Sequence, residues 1–448
     1  MSKYATAPAP TKEWPSGLPY IIGNEAAERF SFYGMKGILV VFMTAHLMNA
    51  SGQPDYMTDE QAKVWFHLFS SAVYFTPLLG GLLSDIFLGK YRTIILLSIV
   101  YCLGHFMLAI DETRFGLGIG LALIAVGAGG IKPCVSAHVG DQFGKTNQSL
   151  LDKAFSWFYF SINVGAAIST LLTPILLAKY GPGVAFGVPG VLMVVATILF
   201  WAGRSKFVHI PPGGKKWVQE TFSKEGVLIL LKLSVIYSFV AMFWALFDQT
   251  GSAWVLQAQH MDRVVFGYEL LPSQIQAANP VLVLTMIPLF YYLVYPLMSK
   301  YCFEMTPLRR VAIGFFICIP AFAVPGLIET QIQNGDTPHI SWQFLSYIII
   351  TAAEILISIT CLEFSYTQAP KTMKSIVMGF FFASVTIGNL FTAGVNYFIQ
   401  NEDGSVALEG ADYYWFFTWA IAIAAVLFLF VLRFYVPKTY VQDEAISK

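Results

Sequence analysis

The chain has 448 residues, of which 56% are hydrophobic and only 12% are charged. A soluble domain carries about 25% charged residues, so the composition excludes a soluble globular enzyme and predicts a polytopic membrane protein. The formal net charge is zero, so the charge balance gives no indication of a nucleic-acid partner.

Twelve apolar segments approach or exceed the ~18 residues that a helix needs to cross a bilayer. We number these predicted spans 1 to 12 in chain order. They cover residues 16–48, 60–85, 92–111, 115–140, 152–178, 184–203, 227–258, 275–300, 308–329, 341–368, 375–399 and 412–436. The predicted fold class is therefore an all-α polytopic membrane protein with about twelve transmembrane helices.

Lysine and arginine are concentrated in both tails and in the loops that follow even-numbered spans. By the positive-inside rule, this distribution predicts that both termini are cytoplasmic. The longest basic connector divides the spans six and six. The predicted division is a tail 1–15, an N-terminal six-helix bundle 16–203, a linker 204–226, a C-terminal six-helix bundle 227–436 and a tail 437–448. Two packed halves with a site between them suit alternating access.

Span 1 carries a stripe of charged and aromatic residues. The stripe consists of Glu25, Glu28, Arg29, Phe32, Tyr33 and Lys36, which recur at three- and four-residue intervals and so share one helix face. Each charge near a bilayer centre costs roughly 2.5–3.5 kcal/mol on insertion scales. We therefore expect this face to line a polar cavity to which other spans supply counter-charges. A structural alternative stays open, in which Glu25 and Arg29 form only a buried pair.

Four separated motifs resemble the proton-dependent oligopeptide transporter (POT/PTR) family of the major facilitator superfamily. They are E-x-x-E-R-F at 25–30, F-S-W-F-Y-F-S-I-N-V-G at 155–165, F-W-A-L-F-D-Q at 243–249 and L-E-F-S-Y-T-Q-A-P at 362–370. The loop 80–93 also resembles the signature loop of that superfamily. The linker 204–226 is too short and polar for the two extra helices that many bacterial members carry between their halves. The connection 331–340 leaves no room for the large extracellular domain of animal members. The chain therefore resembles a short bacterial-type member of the family.

The resemblance implies a major facilitator fold and proton-coupled import of di- and tripeptides across a cell (inner or plasma) membrane by alternating access. It implies no enzymatic activity, no catalytic residue, no metal and no cofactor, with the proton as coupling ion. Small peptides and the lipid bilayer are the implied partners of a chain that works as a monomer. An alternative keeps the fold but carries another small solute, such as nitrate, an amino acid or a drug-like anion.

The resemblance also assigns roles to individual residues. Proton coupling is implied for Glu25, Glu28, His67 and Asp248. Binding of the peptide carboxylate is implied for Arg29, Lys36 and Lys132. Binding of the peptide amino group is implied for Glu354, Asn163 and Asn279. Pocket lining is implied for Phe32, Tyr33, Tyr74 and Tyr159, and Phe32 stands where the family often has tyrosine.

The chemistry of these residue types agrees with the implied roles, because a zwitterionic peptide needs a cationic and an anionic pole across one cavity. Glu28 beside Arg29 is the expected coupling acid: if the peptide carboxylate takes the base, the glutamate should take a proton. Glu25 is expected to face Lys132. Purely structural alternatives stay open for four of these residues. His67 is then an interfacial histidine, Glu354 a helix cap, and Tyr74 and Tyr159 packing aromatics.

Overall fold

The computed structural model describes residues 4–214, 218–219, 223–368, 374–401 and 405–435. Parts of the predicted linker, the end of the fourth motif and the predicted tail 437–448 lie outside these residues. Helices dominate the described part. Its strands are β1 (Val264–Val265) and β2 (Tyr268–Glu269), which pair antiparallel in the connection between spans 7 and 8.

The first six spans begin and end within a few residues of their predicted limits. They are Leu18–Ala45, Asp59–Leu82 with a π-helical extension Leu83–Leu88, Lys90–Ile110, Arg114–Asp141, Leu151–Tyr180 and Pro182–Ala202. Local sequence explains several of these limits. Thr58 and Gln61 form a capping box that starts span 2. Gly89, at φ 75°, makes the sharp turn between spans 2 and 3, which a residue without a Cβ adopts readily.

The last six spans are more irregular. Span 7 is Lys224–Phe247 followed by Asp248–Gly251 and Ala253–Ala258, and span 8 comprises Pro272–Ala277, Ala278–Leu289, Phe290–Val294 and Tyr295–Tyr301. Span 9 is Pro307–Gln333, span 10 comprises Ser341–Glu354, Ile355–Ile359 and Thr360–Thr367, span 11 is Lys374–Phe398 and span 12 is Ala411–Phe434. Two predicted site residues mark such irregularities. Asp248 begins a 3₁₀ turn, and Glu354 directly precedes a π-helical segment, a feature frequent at functional sites.

In the described part of the chain, eleven helical segments are long and apolar enough to cross a membrane. Span 1 is the twelfth. It has 28 residues, but the charged side chains of its stripe lower its mean hydropathy. With span 1, the described residues contain twelve helical segments that are long enough to cross a membrane.

The apolar side chains form two large cores that follow the order of the chain. One core is built almost entirely from spans 1 to 6, and the other from spans 7 to 12. Close contact between the halves is made chiefly by span 2 against span 11, and by span 5 against the start of span 8. Some buried polar residues, such as His67, Asp248 and Asn389, lie where the two cores meet.

The two ends of the bundle can be told apart by the connector after span 6. The ring of His209 in this connector stacks on Tyr4 at 4.4 Å, and its backbone N–H donates to Ala5. The N-terminal segment and the connector thus share one end, which we call the linker face. The opposite end is called the far face.

Candidate substrate and coupling site

The charged stripe of span 1 is buried and internally paired. Arg29 Nε lies 2.6 Å from Glu25 Oε1 and 3.1 Å from Glu28 Oε2, and all three side chains are at least nine-tenths buried. The four-residue spacing places Glu25 and Arg29 on neighbouring turns. The expectation that Glu25 faces Lys132 is therefore revised, because the structure pairs Glu25 with Arg29.

Glu28 is held less firmly than Glu25. Apart from the ion pair with Arg29, neither of its carboxylate oxygens has a hydrogen-bond partner of normal geometry among the described residues. A buried carboxylate without such donors is poorly compensated for its lost hydration. Glu28 is thus the acid of this cluster whose charge depends most on the guanidinium beside it.

Lys132 of span 4 is held by aromatic rings. Its Nζ lies 4.0 Å from the ring centroid of Phe32 and 4.4 Å from that of Tyr74. A desolvated ammonium over aromatic faces gains about 2 kcal/mol or more from cation–π attraction. The two rings therefore hold a buried cation in a position from which a stronger anionic partner can draw it.

An anionic group lies in the other half. Glu354, at the C-terminal end of Ser341–Glu354, accepts a 2.7 Å hydrogen bond from Asn279 Nδ2. The same amide nitrogen lies 3.1 Å from Thr351 Oγ1. The amide nitrogen of Asn279 is bonded to Glu354 and Thr351, so Asn279 orients the Glu354 carboxylate. The amide oxygen of Asn279 remains available to accept a hydrogen bond from an amino group.

Tyrosines connect the two charged regions. Tyr33 interacts electrostatically with both Arg29 and Glu354, and so does Tyr74. Tyr159 interacts with Glu354 and with Tyr33. Tyr33 and Tyr74 therefore lie within electrostatic range of charged groups from both halves.

Asn163 lies beside this set, on the same helix as Tyr159. Its Nδ2 donates to the backbone carbonyl of Tyr159 at 3.0 Å. The amide nitrogen is thus engaged within span 5, and the amide oxygen is the atom left for a ligand.

Closer to the far face, a second polar group joins the halves. Lys36 Nζ lies 2.8 Å from Asp248 Oδ1, and the other oxygen of Asp248 accepts from Asn389 Nδ2 at 2.7 Å. His67 follows, with Nδ1 2.7 Å from Asn389 Oδ1 and Nε2 2.9 Å from Ser252 Oγ. We call Lys36, His67, Asp248, Ser252 and Asn389 the inter-half network.

The protons of the network follow from its geometry. The amide nitrogen of Asn389 points at Asp248, so its oxygen accepts the Nδ1–H of His67. In the neutral ring Nε2 then accepts from the Ser252 hydroxyl. Every polar atom named has a partner, which is what a buried network requires to be stable.

Two predictions change with this network. Lys36 was predicted to bind the peptide carboxylate, but the structure places it in an ion pair with Asp248, 212 positions along the chain. His67 is fully buried, which does not fit the alternative of an interfacial histidine. Sequence reasoning missed Asn389 and Ser252. The signal for Asn389 was an amide within the apolar span 11, which also carries Asn396; amides are expensive inside a membrane.

Further contacts join the halves on the same side. Gln276 Nε2 donates to the carbonyl of Gly37 at 3.0 Å, and Gln274 Nε2 donates to that of Leu171 at 2.9 Å. Together with the inter-half network, these bonds hold the halves together near the far face.

Comparison with known proteins identifies the family. A model of the POT family matches residues 91–225 and 214–416. The chain belongs to the POT family. Its all-α fold with two sets of six spans is confirmed as the major facilitator architecture of this family. A crystal structure of the POT family transporter PepTSo, 36% identical, superposes with a TM-score of 0.86 over 94% of this chain and 98% of that chain.

A further solved structure and two curated proteins are also similar to this chain. A crystal structure of an auto-inhibited POT family peptide transporter has a TM-score of 0.84 at 34% identity, covering 96% of this chain and 99% of that one. Solute carrier family 15 member 2 of Homo sapiens is 37% identical over 379 residues, which are 73% of this chain and 51% of that protein. Peptide transporter family 1 of Drosophila melanogaster is 38% identical over 73% of this chain and 49% of its own length. The chain thus spans about half the length of the curated relatives it matches.

Proposed function

We propose that the chain is a proton-coupled symporter that imports di- and tripeptides by alternating access and works as a monomer. The observation that carries the proposal is that one half buries two cations, Arg29 and Lys132, while the other half carries Glu354, held by Asn279. Arg29 and Glu354 both lie within electrostatic range of Tyr33. Relatives whose names describe peptide transporters support the choice of cargo.

A peptide zwitterion suits these two charged regions. The peptide carboxylate can bind Arg29 and the ammonium of Lys132. To reach it, Lys132 exchanges its contacts with the rings of Phe32 and Tyr74 for a charge-assisted hydrogen bond. The peptide amino group can be received by Glu354 and the amide oxygen of Asn279. The peptide bond can meet the tyrosine hydroxyls and Asn163. A ligand bound in this way links the two halves.

Proton coupling is assigned to Glu28. When a peptide carboxylate binds Arg29, Glu28 has to share the guanidinium of Arg29, its nearest positive charge, with the peptide. The charge of the buried Glu28 carboxylate is then less well compensated. Burial then favours the neutral form, so the carboxylate takes up a proton. Loading of peptide and proton together neutralises the site. The inward step is driven by the proton gradient, because one charge moved across 100 mV gains about 2.3 kcal/mol.

The inter-half network is assigned to the extracellular gate. We propose that the linker face is cytoplasmic, that both termini and the linker lie there, and that the membrane is the inner or plasma membrane, as the distribution of lysine and arginine favours. The bonds near the far face then close the outer side. Opening outward separates Lys36 from Asp248 and His67 from Ser252, which exposes His67 to external protons.

A second cargo keeps the same fold. Nitrate or another small anion needs the basic residues but no group that receives an ammonium, whereas Glu354 held by Asn279 suits a ligand with an amino group. Competition of labelled dialanine uptake by nitrate separates the two. Strong competition would favour the anion carrier.

The coupling assignment is tested with Glu28→Gln in liposomes that have an acidic exterior. We expect the variant to exchange labelled dialanine across the membrane but not to concentrate it, because the amide cannot carry the proton. The measurement is the ratio of internal to external peptide with and without the pH gradient.

Arg114→Gln is a suitable control. Arg114 lies outside the site and donates to Asp55 at 2.7 Å, a bond that lowers the pKa of that exposed carboxyl. This variant should concentrate dialanine like the parent protein. If Glu28→Gln also concentrates the peptide, Glu28 is not the coupling acid.

A further inference from the structure

A groove opens at the linker face of the C-terminal half, away from the substrate and coupling site. It lies where the beginning of span 9 meets the ends of spans 10 and 12, and its volume is about 580 Å³. Span 9 contributes Thr306 and Arg309, span 10 contributes Phe364, and span 12 contributes Leu432 and Arg433. Phe364 is buried, whereas both arginines are exposed. The groove therefore combines an apolar interior with cationic groups at its edge, in a volume that suits a small ligand.

The two arginines are not neutralised by acids of the described chain. Arg309 Nη1 donates to the backbone carbonyl of Glu304 at 2.9 Å, a group that carries no net charge. Arg433 forms no ion pair or hydrogen bond with another described residue. Arg310 differs, because its guanidinium lies 4.0 Å from the carboxylate of Glu363. The groove thus presents two positive charges that remain available for an anion from outside the protein.

The edge of the groove continues into the outer surface of span 12. Leu429 of the lining is 44% exposed, and Val426 and Phe430 beside it are 53% and 60% exposed. Exposed apolar side chains on a membrane-crossing helix meet lipid acyl chains. Arg433 follows in the last turn of the helix, about 10 Å further along its axis than Val426. An apolar path therefore leads from the level of the acyl chains to the two arginines.

We propose that the groove binds an anionic glycerophospholipid. Its phosphate lies between Arg309 and Arg433, because guanidinium groups donate paired hydrogen bonds to phosphate oxygens. The hydroxyl of Thr306, which does not cap span 9, donates a further bond. One acyl chain follows Leu429 and Leu432 onto the apolar surface of span 12. Basic pockets between membrane helices bind lipid headgroups in this way.

The charge of the headgroup determines which lipid is preferred. A zwitterionic lipid carries the same phosphate, but its ammonium adds a positive charge beside two arginines that no acid neutralises. A soluble phosphate lacks the chains that cover the apolar lining. Each arginine near a headgroup favours an anionic lipid about fivefold. The pair should therefore prefer such a lipid roughly 20- to 30-fold, whatever cargo the protein transports.

The test is native mass spectrometry of the purified full-length protein. The protein is stripped of lipid and given equal amounts of dioleoyl phosphatidylglycerol and dioleoyl phosphatidylcholine, and the ratio of the two in the first bound position is measured. The variants are Arg309→Gln, Arg433→Gln and their combination. Arg204→Gln is the matched control, because Arg204 lies at the linker face outside the groove, where it donates to the carbonyl of Trp201 at 2.9 Å.

We expect the parent protein to prefer phosphatidylglycerol roughly 20-fold or more. Each single variant should lower this preference about fivefold, and the combination should abolish it. Arg204→Gln should retain the preference of the parent protein. An equal ratio of the two lipids in the parent protein would overturn the proposal. So would a loss in Arg204→Gln as large as in either groove variant, because charge anywhere on the linker face would then suffice.

The shape of the groove is tested separately from its charge. Leu432→Trp places a larger side chain in the groove and keeps both arginines, so it should lower the preference about fivefold or more. Val426→Trp adds the same side chain to the outer surface of span 12 and should have no effect. Equal ratios for these two variants would contradict binding inside the groove.

Two other occupants would give different results. Glycerol 3-phosphate in large excess should not displace phosphatidylglycerol, and displacement would identify a site for soluble phosphate instead. The tail 437–448 contains Asp443 and Glu444, which lie outside the described residues. Combining Asp443→Asn with Glu444→Gln should leave the bound phosphatidylglycerol unchanged. A large increase would show that the arginines serve the acidic tail, and the proposal would be overturned.

Discussion

At the scale of single residues, the pairing of charges decides which side chains can meet a ligand. Arg29 is shared between Glu25 and Glu28, and Lys132 is held by aromatic rings rather than by an acid. Both cations are thus close to their partners yet able to receive a carboxylate. Lys36 differs, because its partner Asp248 is an acid of the other half at 2.8 Å.

The position of Lys36 leads to a testable distinction. We expect Lys36→Gln to leave the affinity for dialanine within about threefold but to slow transport at least tenfold, because in the proposed mechanism the charge of Lys36 closes the gate and does not bind peptide. Equilibrium binding to purified protein and initial uptake rates in liposomes measure the two effects.

Lys36→Arg is the matched variant, since it retains the charge opposite Asp248 and should recover most of the rate. If Lys36→Gln lowers the affinity for dialanine tenfold and Lys36→Arg restores it, Lys36 binds the peptide and the gate assignment is wrong.

At the scale of helices, close packing depends on glycines rather than on charges. A Cβ on Gly80 of span 2 would lie 2.3 Å from the Cα of Gly130 in span 4, and Gly130 lies close to Leu97 of span 3. The same helix carries Lys132 two residues later. The approach of spans 2 and 4 therefore fixes where the lysine enters the site.

This contact predicts an asymmetry between two neighbouring glycines. Gly80→Ala forces backbone atoms apart, and overpacking of this kind typically costs about 1–3 kcal/mol. Gly81→Ala is the control, because nothing lies within 4 Å of its new Cβ. We expect the thermal unfolding midpoint in detergent to fall only for Gly80→Ala. Equal midpoints would contradict the close approach of the two helices.

The helices themselves were largely predictable from the sequence. Apolar length marks a span, and Leu18–Ala45 or Pro307–Gln333 differ from the predicted limits by a few residues. The spacing of Glu25, Glu28 and Arg29 placed them on one face because a helix repeats locally. No such local rule connects Lys36 to Asp248 or His67 to Asn389. Those contacts depend on how the two halves meet, so the sequence alone did not reveal them.

At the scale of the whole molecule, two cores meet at a layer of polar residues. The network near the far face links the halves directly, whereas Arg29 of one half and Glu354 of the other have no direct contact among the described residues and lie within electrostatic range of Tyr33 and Tyr74. The proposed ligand, a peptide with two charged ends, connects them in the proposed mechanism. The central claim of this account is therefore that each end of the peptide is received by a different half.

The most direct measurement of this claim is the affinity of purified variants for dialanine, N-acetyl-dialanine and dialanine amide by calorimetry. We expect Glu354→Gln to weaken dialanine roughly 10- to 100-fold and to leave the acetylated peptide, which has no ammonium, almost unaffected. Lys132→Ala should show the converse pattern, weakening dialanine but leaving dialanine amide, which has no carboxylate, almost unaffected. If each variant weakens all three ligands equally, the two halves do not receive opposite ends of the peptide.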